Sequence, residues 1–132
     1  MPPNLSMLDV LVNNAAVKSD YNQTMNVNVK VPYLLMKKVM KDCKIINVAS
    51  ESAIRGQSGL AEYSASKHAL VGLSKSLREE GRDINIIYPS RVDTNFNINK
   101  GGLNPKDVAD AIYFIATRPS NVSIDLFISE RW

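Results

Sequence analysis

The residues of this chain that are best suited to chemistry are a serine, a tyrosine and a lysine. Ser50 follows the apolar run 45–49, and Tyr63 stands thirteen residues later, four positions before Lys67. Residues four apart in a helix share a face, so the Tyr63 hydroxyl and the Lys67 ammonium can point into one site. A nearby cation favours the phenolate, which would let Tyr63 donate and accept protons, while Ser50 could donate a hydrogen bond to a carbonyl oxygen. These groups suffice to interconvert an alcohol and a ketone.

A second tyrosine-lysine pair has the same spacing, so spacing alone is weak evidence. Tyr33 precedes Lys37 by four residues in an apolar helical stretch, and thirteen residues upstream stands Asp20 instead of a serine. We therefore predict that Tyr33 lies on or near a packed face, with Lys37 in solvent.

Three further motifs flank the first pair in a fixed order. The sequence Asn-Asn-Ala-Ala occupies 13–16, Asn28 lies in a helical stretch, and Pro-Ser-Arg-Val-Asp-Thr occupies 89–94. With Ser50, Tyr63 and Lys67, these motifs make the chain resemble the C-terminal half to two-thirds of the short-chain dehydrogenases/reductases. That family carries Asn-Asn-Ala-Gly, an Asn-Ser-Tyr-Lys tetrad, and a Pro-Gly followed by a threonine.

The resemblance implies hydride transfer between NAD or NADP and a small-molecule carbonyl or secondary alcohol. It gives Tyr63 the proton exchange and Ser50 the orientation of the substrate oxygen. It has Lys67 lower the pKa of Tyr63 and contact the nicotinamide ribose, while Asn28 completes a proton relay. The implied cofactor-binding residues are Asn13, Asn14, Ala15, Tyr63, Lys67, Pro89, Ser90, Val92 and Thr94.

Strand and helix patterns alternate along the chain. Short apolar runs predict strands at 8–12, 44–49, 84–88 and 124–128, and helices are expected at 20–42, 61–81 and 105–117. The last helix has a start signal, with Asn104 as N-cap and Pro105 at its first position. The alternation predicts one α/β domain over 1–132, a Rossmann-like parallel sheet with flanking helices. Ligands bind beyond the carboxyl ends of such strands, where the three motif groups that follow the first three strands would meet: Asn13 and Asn14, Ser50, and 89–94.

Composition narrows the class of protein. Of 132 residues, 45% are hydrophobic and 22% charged, and the net charge is +3. We expect a cytoplasmic protein without a nucleic-acid, membrane or metal partner. No apolar run is long enough for a membrane span. The one cysteine allows no internal disulfide, which suits a reducing compartment. Arg55 and Arg91 are interpreted as surface residues near the site. The main cluster of basic residues is interpreted as a solvated helix end: Lys37, Lys38, Lys41 and Lys44.

Several features depart from the family pattern. No glycine precedes Gly56, so the glycine-rich turn that binds a pyrophosphate is absent from these residues. We expect a truncated fold of about four strands, lacking the first βαβαβ half. The alternative to an enzyme is a non-catalytic half-domain or gene fragment, at most an interaction module. Ser90 replaces the glycine of Pro-Gly, and its Cβ could obstruct a cofactor or an unusual backbone angle.

The resemblance also implies a homo-oligomer. In this family the helices equivalent to 20–42 and 61–81 pair across a two-fold axis. Small residues recur on the second of them here, at Ala65, Ala69 and Gly72, and would permit close approach. We therefore predict a homodimer or larger assembly through this face.

Overall fold

The computed structural model describes residues 4–96 and 101–131 and contains a parallel sheet of four strands in the order β1-β2-β3-β4. The strands span Val10–Asn13 (β1), Lys44–Val48 (β2), Ile84–Pro89 (β3) and Asp125–Ile128 (β4). All four lie within two residues of the predicted positions. The expected Rossmann-like arrangement is confirmed.

Helices connect successive strands. The first connection is helical from Tyr21 to Lys38, as α1 (Tyr21–Met25), a π-helical segment (Asn26–Lys30) and α2 (Val31–Lys38). The second connection carries α3 (Ala61–Glu79) and the third carries α4 (Pro105–Ala116). Asn104 caps α4 as predicted, accepting a hydrogen bond from the backbone N–H of Lys106 at 2.9 Å.

The first helical connection ends earlier than predicted. We expected a helix to residue 42, but Val39 is already extended, with ψ at 155°. Its side chain is buried with Cys43 in the core, which turns the chain towards β2. Arg82 donates hydrogen bonds to the carbonyls of Val39 and Met40, at 3.2 and 3.5 Å. These two carbonyl groups, which follow the end of the helix, therefore have a hydrogen-bond donor without a further helical turn.

The interpretation of Lys44 as part of a solvated helix end is wrong. Lys44 is the first residue of β2, only 7% exposed, and its ammonium lies 3.5 Å from the Asp83 carboxylate. The sheet places the two side chains together because β2 and β3 begin side by side. The other three lysines of that cluster, 37, 38 and 41, are exposed as expected.

The core lies on both faces of the two central strands. Every residue of β2 and β3 is buried, as is typical of parallel strands covered on both sides. One face packs on α2 and α3 through a cluster that includes Met36, Leu70 and Ile84. The other packs on α4, where Val48 and Val108 belong to one cluster. This sandwich fixes the strand ends that carry the predicted motifs.

Buried asparagines connect the strands. Asn47 has no exposed surface; its amide donates to Ser74 Oγ at 2.7 Å, and its Oδ1 accepts from the Asn13 amide at 2.8 Å. Asn85, equally buried, accepts from the backbone N–H of Ile124 at 2.8 Å. A buried polar side chain is stable only when hydrogen-bonded, so these contacts hold neighbouring elements in register.

Within the described ranges, no helix combines the length and hydropathy needed to cross a membrane. The same residues bring together no group of three histidine, cysteine or acidic side chains that could hold a metal ion.

Candidate active site

A cleft of about 660 Å³ opens at the carboxyl edge of the sheet. Its walls come from the segments that follow β1, β2 and β3, together with the first turns of α3 and α4. The motifs that we expected to meet at this edge do so. The predicted site residues that line the cleft are Asn14, Ala15, Ser50, Tyr63, Lys67, Pro89, Ser90, Val92 and Thr94.

The two hydroxyl groups of the site are adjacent. Tyr63 lies in the first turn of α3, and Ser50 precedes a short 3-10 helix, Glu51–Ala53, whose first turn it caps by accepting from the Ser52 N–H at 3.1 Å. Burial of the phenol raises the pKa of Tyr63 above its usual value, and the interaction with the Ser50 hydroxyl offsets only part of this rise. The Lys67 ammonium does not outweigh this effect, so the pKa of Tyr63 is raised and not lowered as the resemblance implies.

Lys67 lies one turn after Tyr63 and is only 3% exposed. Its Nζ donates to the Val48 carbonyl at 2.9 Å and lies 5.6 Å from the centre of the Tyr63 ring. Burial lowers the pKa of Lys67 to about 8. The ammonium is anchored on β2 beside the phenol, where it can stabilise negative charge that develops there.

This depressed pKa predicts a pH dependence of stability. The folded state releases the Lys67 proton near pH 8, whereas the unfolded chain holds it to about pH 10.4, so the unfolded state binds more protons between these values. The free energy of unfolding should therefore rise with pH across this window, by about 2 kcal/mol between pH 8 and pH 10.

Urea unfolding of the wild type and of Lys67→Met at several pH values measures this contribution. The variant cannot titrate at this position, so the stability difference between the two proteins should shift in favour of the wild type as pH rises. Parallel pH profiles for the two proteins would contradict the assignment.

Asn28 lies behind the site and not in the cleft. It is 1% exposed and belongs to the π-helical segment, a form often found at functional sites. Its Oδ1 accepts from the Val17 N–H at 2.8 Å, and its Nδ2 donates to the Val17 carbonyl at 2.9 Å and to Ser66 Oγ at 3.0 Å. Ser66 in turn donates to the Tyr63 carbonyl at 2.7 Å. Asn28 thus joins the segment after β1 to the turn that carries Tyr63, and a role in a proton relay stays a prediction.

Of the remaining predicted residues, Asn13 lies outside the cleft, and Thr94 and Ser90 line it. Asn13 does not line the cleft, because its amide is directed at Asn47 within the sheet. Thr94 lines it, with its Oγ1 accepting from the Phe96 N–H at 3.3 Å. Ser90 also lines it, and no described residue other than glycine has a positive φ, so the backbone at Ser90 is not strained.

Gly102 allows the segment after Thr94 to return to the cleft. Its φ is +123°, and a Cβ there would collide with the backbone carbonyl of Arg91. Leu103 then hydrogen-bonds to Arg91 and Asp93, in both cases at 2.8 Å. The family resemblance puts a substrate lid at residues 95–104, and of these, residues 97–100 lie outside the described residues.

Sequence reasoning missed several cleft residues, above all Lys18 and Phe96. Lys18 Nζ lies 5.0 Å from the centre of the Tyr63 ring and 4.5 Å from that of Phe96. The sequence signal that could have identified Lys18 is its position four residues after Asn14, in the segment that leaves the carboxyl end of β1. Arg55 and Arg91 were interpreted as surface residues; both are exposed, and Arg91 also lines the cleft.

Known proteins resemble this chain in sequence and fold. The family model "short chain dehydrogenase" matches residues 2–102. The 3-oxoacyl-[acyl-carrier-protein] reductase of Rickettsia bellii is 28% identical over 152 residues, which cover 89% of this chain and 63% of the relative. An uncharacterized oxidoreductase of Thermotoga maritima is 39% identical over 95 residues, covering 60% of this chain and 38% of the relative. The chain thus spans about three fifths or less of the length of these relatives.

Two solved structures of enzymes also resemble this chain in fold. A 4-hydroxyisoleucine dehydrogenase complexed with NADH and succinate is 30% identical, with a TM-score of 0.72, covering 91% of this chain and 66% of that one. The 3-ketoacyl-(acyl-carrier-protein) reductase of Brucella melitensis, complexed with NADH, is 25% identical, with a TM-score of 0.80 and coverage of 91% and 65%. With the family model matching most of its length, the chain belongs to the short-chain dehydrogenase family.

Proposed function

We propose that the 132 residues of this chain form the catalytic part of an NAD(P)-dependent oxidoreductase that interconverts a carbonyl and a secondary alcohol. The observation that carries the proposal is the grouping of Ser50, Tyr63 and Lys67 at the cleft. The Ser50 hydroxyl is near enough to the Tyr63 phenol to affect its pKa, and the buried Lys67 ammonium lies beside the phenol ring. Similarity to dehydrogenases and reductases, two of them complexed with NADH, supports it.

The cleft fits the nicotinamide end of such a cofactor. Lys67 has three N–H donors and commits one of them to Val48, so others can reach ribose hydroxyl groups. Thr94 and Val92 form the wall after β3, where the family resemblance puts contacts to the nicotinamide. When bound, the cofactor supplies or accepts the hydride, and the protein supplies binding, orientation and proton transfer.

The chain's own groups handle the substrate oxygen. Ser50 donates a hydrogen bond to the carbonyl oxygen and polarises it. Tyr63 donates its phenolic proton to that oxygen as the alcohol forms, and Lys67 stabilises the resulting phenolate. Burial raises the pKa of Tyr63, so the phenol carries its proton near neutral pH, as carbonyl reduction requires, whereas alcohol oxidation requires the phenolate.

Carbonyl-dependent oxidation of NADH or NADPH tests this function. The assay is best run on the 132 residues joined behind a glycine-rich nucleotide-binding segment of the kind that the family resemblance implies, with a panel of small ketones, oxo acids and acyl thioesters. Reduction of at least one carbonyl supports the proposal. A fusion protein that binds the cofactor but reduces no carbonyl, and oxidises none of the matching alcohols at high pH, would refute it.

We further propose that the protein assembles through α3 and the helical stretch before it. Ala65 and Gly72 are exposed on α3, and a groove beside them is lined by residues that include Met25, Val29 and Leu73. Apolar side chains are also exposed on the earlier stretch, with Leu34 at 48%. An exposed apolar face with small residues at its centre is suited to a two-fold helix contact.

Gly72→Arg tests this interface. A Cβ at Gly72 meets no atom within 4 Å, so the substitution should not disturb the protomer, whereas a long cation should block the two-fold contact. We expect light scattering to give a dimer or larger for the wild type and a monomer for the variant. Gly56→Arg is the matched control, because Gly56 is equally open and lies outside these helices. A monomeric wild type at high micromolar concentration would rule the interface out.

A further inference from the structure

The segment after β2 carries a hydrogen-bonded group of polar side chains into the cleft. Glu51, Ser52 and Gln57 all line the cleft. The first two of them directly follow Ser50 in the sequence. Ser52 is only 1% exposed and donates its hydroxyl proton to Gln57 Oε1, and Gln57 Nε2 donates to Glu51 Oε1 at 3.2 Å. These contacts hold the three side chains in one arrangement beside the candidate catalytic serine.

The two contacts of Gln57 fix the direction in which its amide faces. The amide oxygen accepts the proton of Ser52, and the amide nitrogen lies against the carboxylate of Glu51. The opposite orientation would put the amide oxygen against a negative charge with no proton between them. An amide nitrogen carries two protons, and Glu51 takes one of them, so the second can be donated to a ligand in the cleft.

The Glu51 carboxylate keeps the capacity to accept a further hydrogen bond. A carboxylate has about four lone-pair sites. From the described residues, Glu51 accepts one hydrogen bond from Gln57 at 3.2 Å and one from Arg55 at 3.3 Å. The Arg55 side chain is 66% exposed, so this ion pair is weak in water, and the Glu51 side chain is itself 31% exposed. A donor group of a ligand can therefore replace water on this carboxylate.

We propose that Glu51 and Gln57 are specificity-determining residues that bind a hydroxyl group of the substrate, so that the cleft takes hydroxylated ketones or the corresponding diols. A hydroxyl group both accepts and donates, which matches an N–H donor beside a carboxylate acceptor. An alkyl group at the same place would leave both protein groups without water and without a partner, which disfavours the plain ketone.

The inference rests on the proposed function, because it is the carbonyl on Ser50 that fixes the rest of the substrate. Neighbouring Cα atoms are about 3.8 Å apart, and the side chains of Ser50 and Glu51 line the same cleft. The hydroxyl group is therefore only a few bonds from the carbonyl. Ser52 is a positioning residue, since it acts through the Gln57 amide.

Ligand-observed NMR with hydroxyacetone and butanone on the 132-residue protein tests the inference without hydride transfer. The two ketones differ only in that a hydroxyl group replaces a methyl group. We expect the wild type to bind hydroxyacetone about tenfold more tightly, as for one hydrogen bond to a charged group at a partly exposed site. Glu51→Gln and Gln57→Met should each lose most of this preference and bind butanone as the wild type does. Glu80→Gln, which removes an exposed carboxylate at the C-terminal cap of α3, is the matched control and should behave as the wild type.

A further variant tests the positioning. Ser52→Ala removes the hydroxyl that holds Gln57 but keeps the backbone N–H that Ser50 accepts at 3.1 Å. It should reduce the preference for hydroxyacetone several-fold, whereas a general disturbance of the fold would weaken the binding of both ketones alike. An unchanged preference in Ser52→Ala would contradict its positioning role.

Three results would each overturn the inference: equal binding of the two ketones by the wild type, no detectable binding of hydroxyacetone, or an unchanged preference in Glu51→Gln or Gln57→Met. Failure of carbonyl reduction in the cofactor assay, with the preference for hydroxyacetone intact, would refute only the proposed reaction.

Discussion

Turnover should fall by roughly 10²- to 10⁴-fold when Tyr63 is replaced by phenylalanine, because the substitution removes the hydroxyl that transfers the proton. The ring would keep its contacts with Phe96 and Lys18, at 5.9 Å between ring centres and 5.0 Å to the ammonium, so the wall of the cleft should persist. Cofactor affinity should therefore change little. Steady-state kinetics and a cofactor titration on the same fusion protein measure both quantities.

Tyr33→Phe is the matched control for this experiment. Tyr33 has the same spacing to a lysine, but it packs against the core around Met36, and Lys37 points into solvent, as the sequence predicted. Removing its hydroxyl should affect stability at most and leave the kinetic constants unchanged. If both tyrosine variants lost turnover equally, the choice of Tyr63 as the proton donor would be wrong.

The sequence was sufficient for features that depend on order along the chain. Parallel strands put their carboxyl ends at one edge, so Asn14, Ser50 and Pro89, each following a predicted strand, had to line a common cleft. Asn104 and Pro105 marked the start of α4 through local capping chemistry alone. Such signals involve residues close in sequence or a simple rule of topology.

Features that depend on contacts between distant residues were not predictable. The helix ends at Lys38 because Val39 joins the core and Arg82, far along the chain, takes over the late carbonyl groups. In the sequence, Asn47 is one residue of an otherwise apolar strand. Its hydrogen bonds with Ser74 and Asn13, which are distant along the chain, are visible only in the structure.

The electrostatics of the site were equally hidden. The expected lowering of the Tyr63 pKa by Lys67 left out the loss of hydration of the phenol, which acts in the opposite direction. The structure instead buries the phenol and anchors the ammonium on Val48. A sequence gives the types of charged groups but not their degree of desolvation, which here decides the direction of the shift.

The helix N-termini near the cleft provide few backbone N–H groups that could bind a pyrophosphate. Dinucleotide affinity in such folds depends on backbone N–H groups at a helix N-terminus that follows a glycine-rich turn, and residues 1–55 contain no glycine. At α4, whose first turn lines the cleft, Pro105 has no N–H and Asn104 already occupies the N–H of Lys106. The described residues around the cleft therefore provide no evident site for the phosphates of a dinucleotide.

We accordingly expect a protein of these 132 residues alone to bind NADH and NADPH at millimolar levels or not at all, with negligible turnover. Losing the phosphate contacts should cost several kcal/mol, and each 1.4 kcal/mol corresponds to about a tenfold change in dissociation constant. Calorimetric titration of this protein and of the fusion with a nucleotide-binding segment should differ by roughly 10³-fold. Low-micromolar binding by the 132 residues would contradict the prediction, and would mean that the segment 95–104 or a second copy of the chain provides the phosphate site.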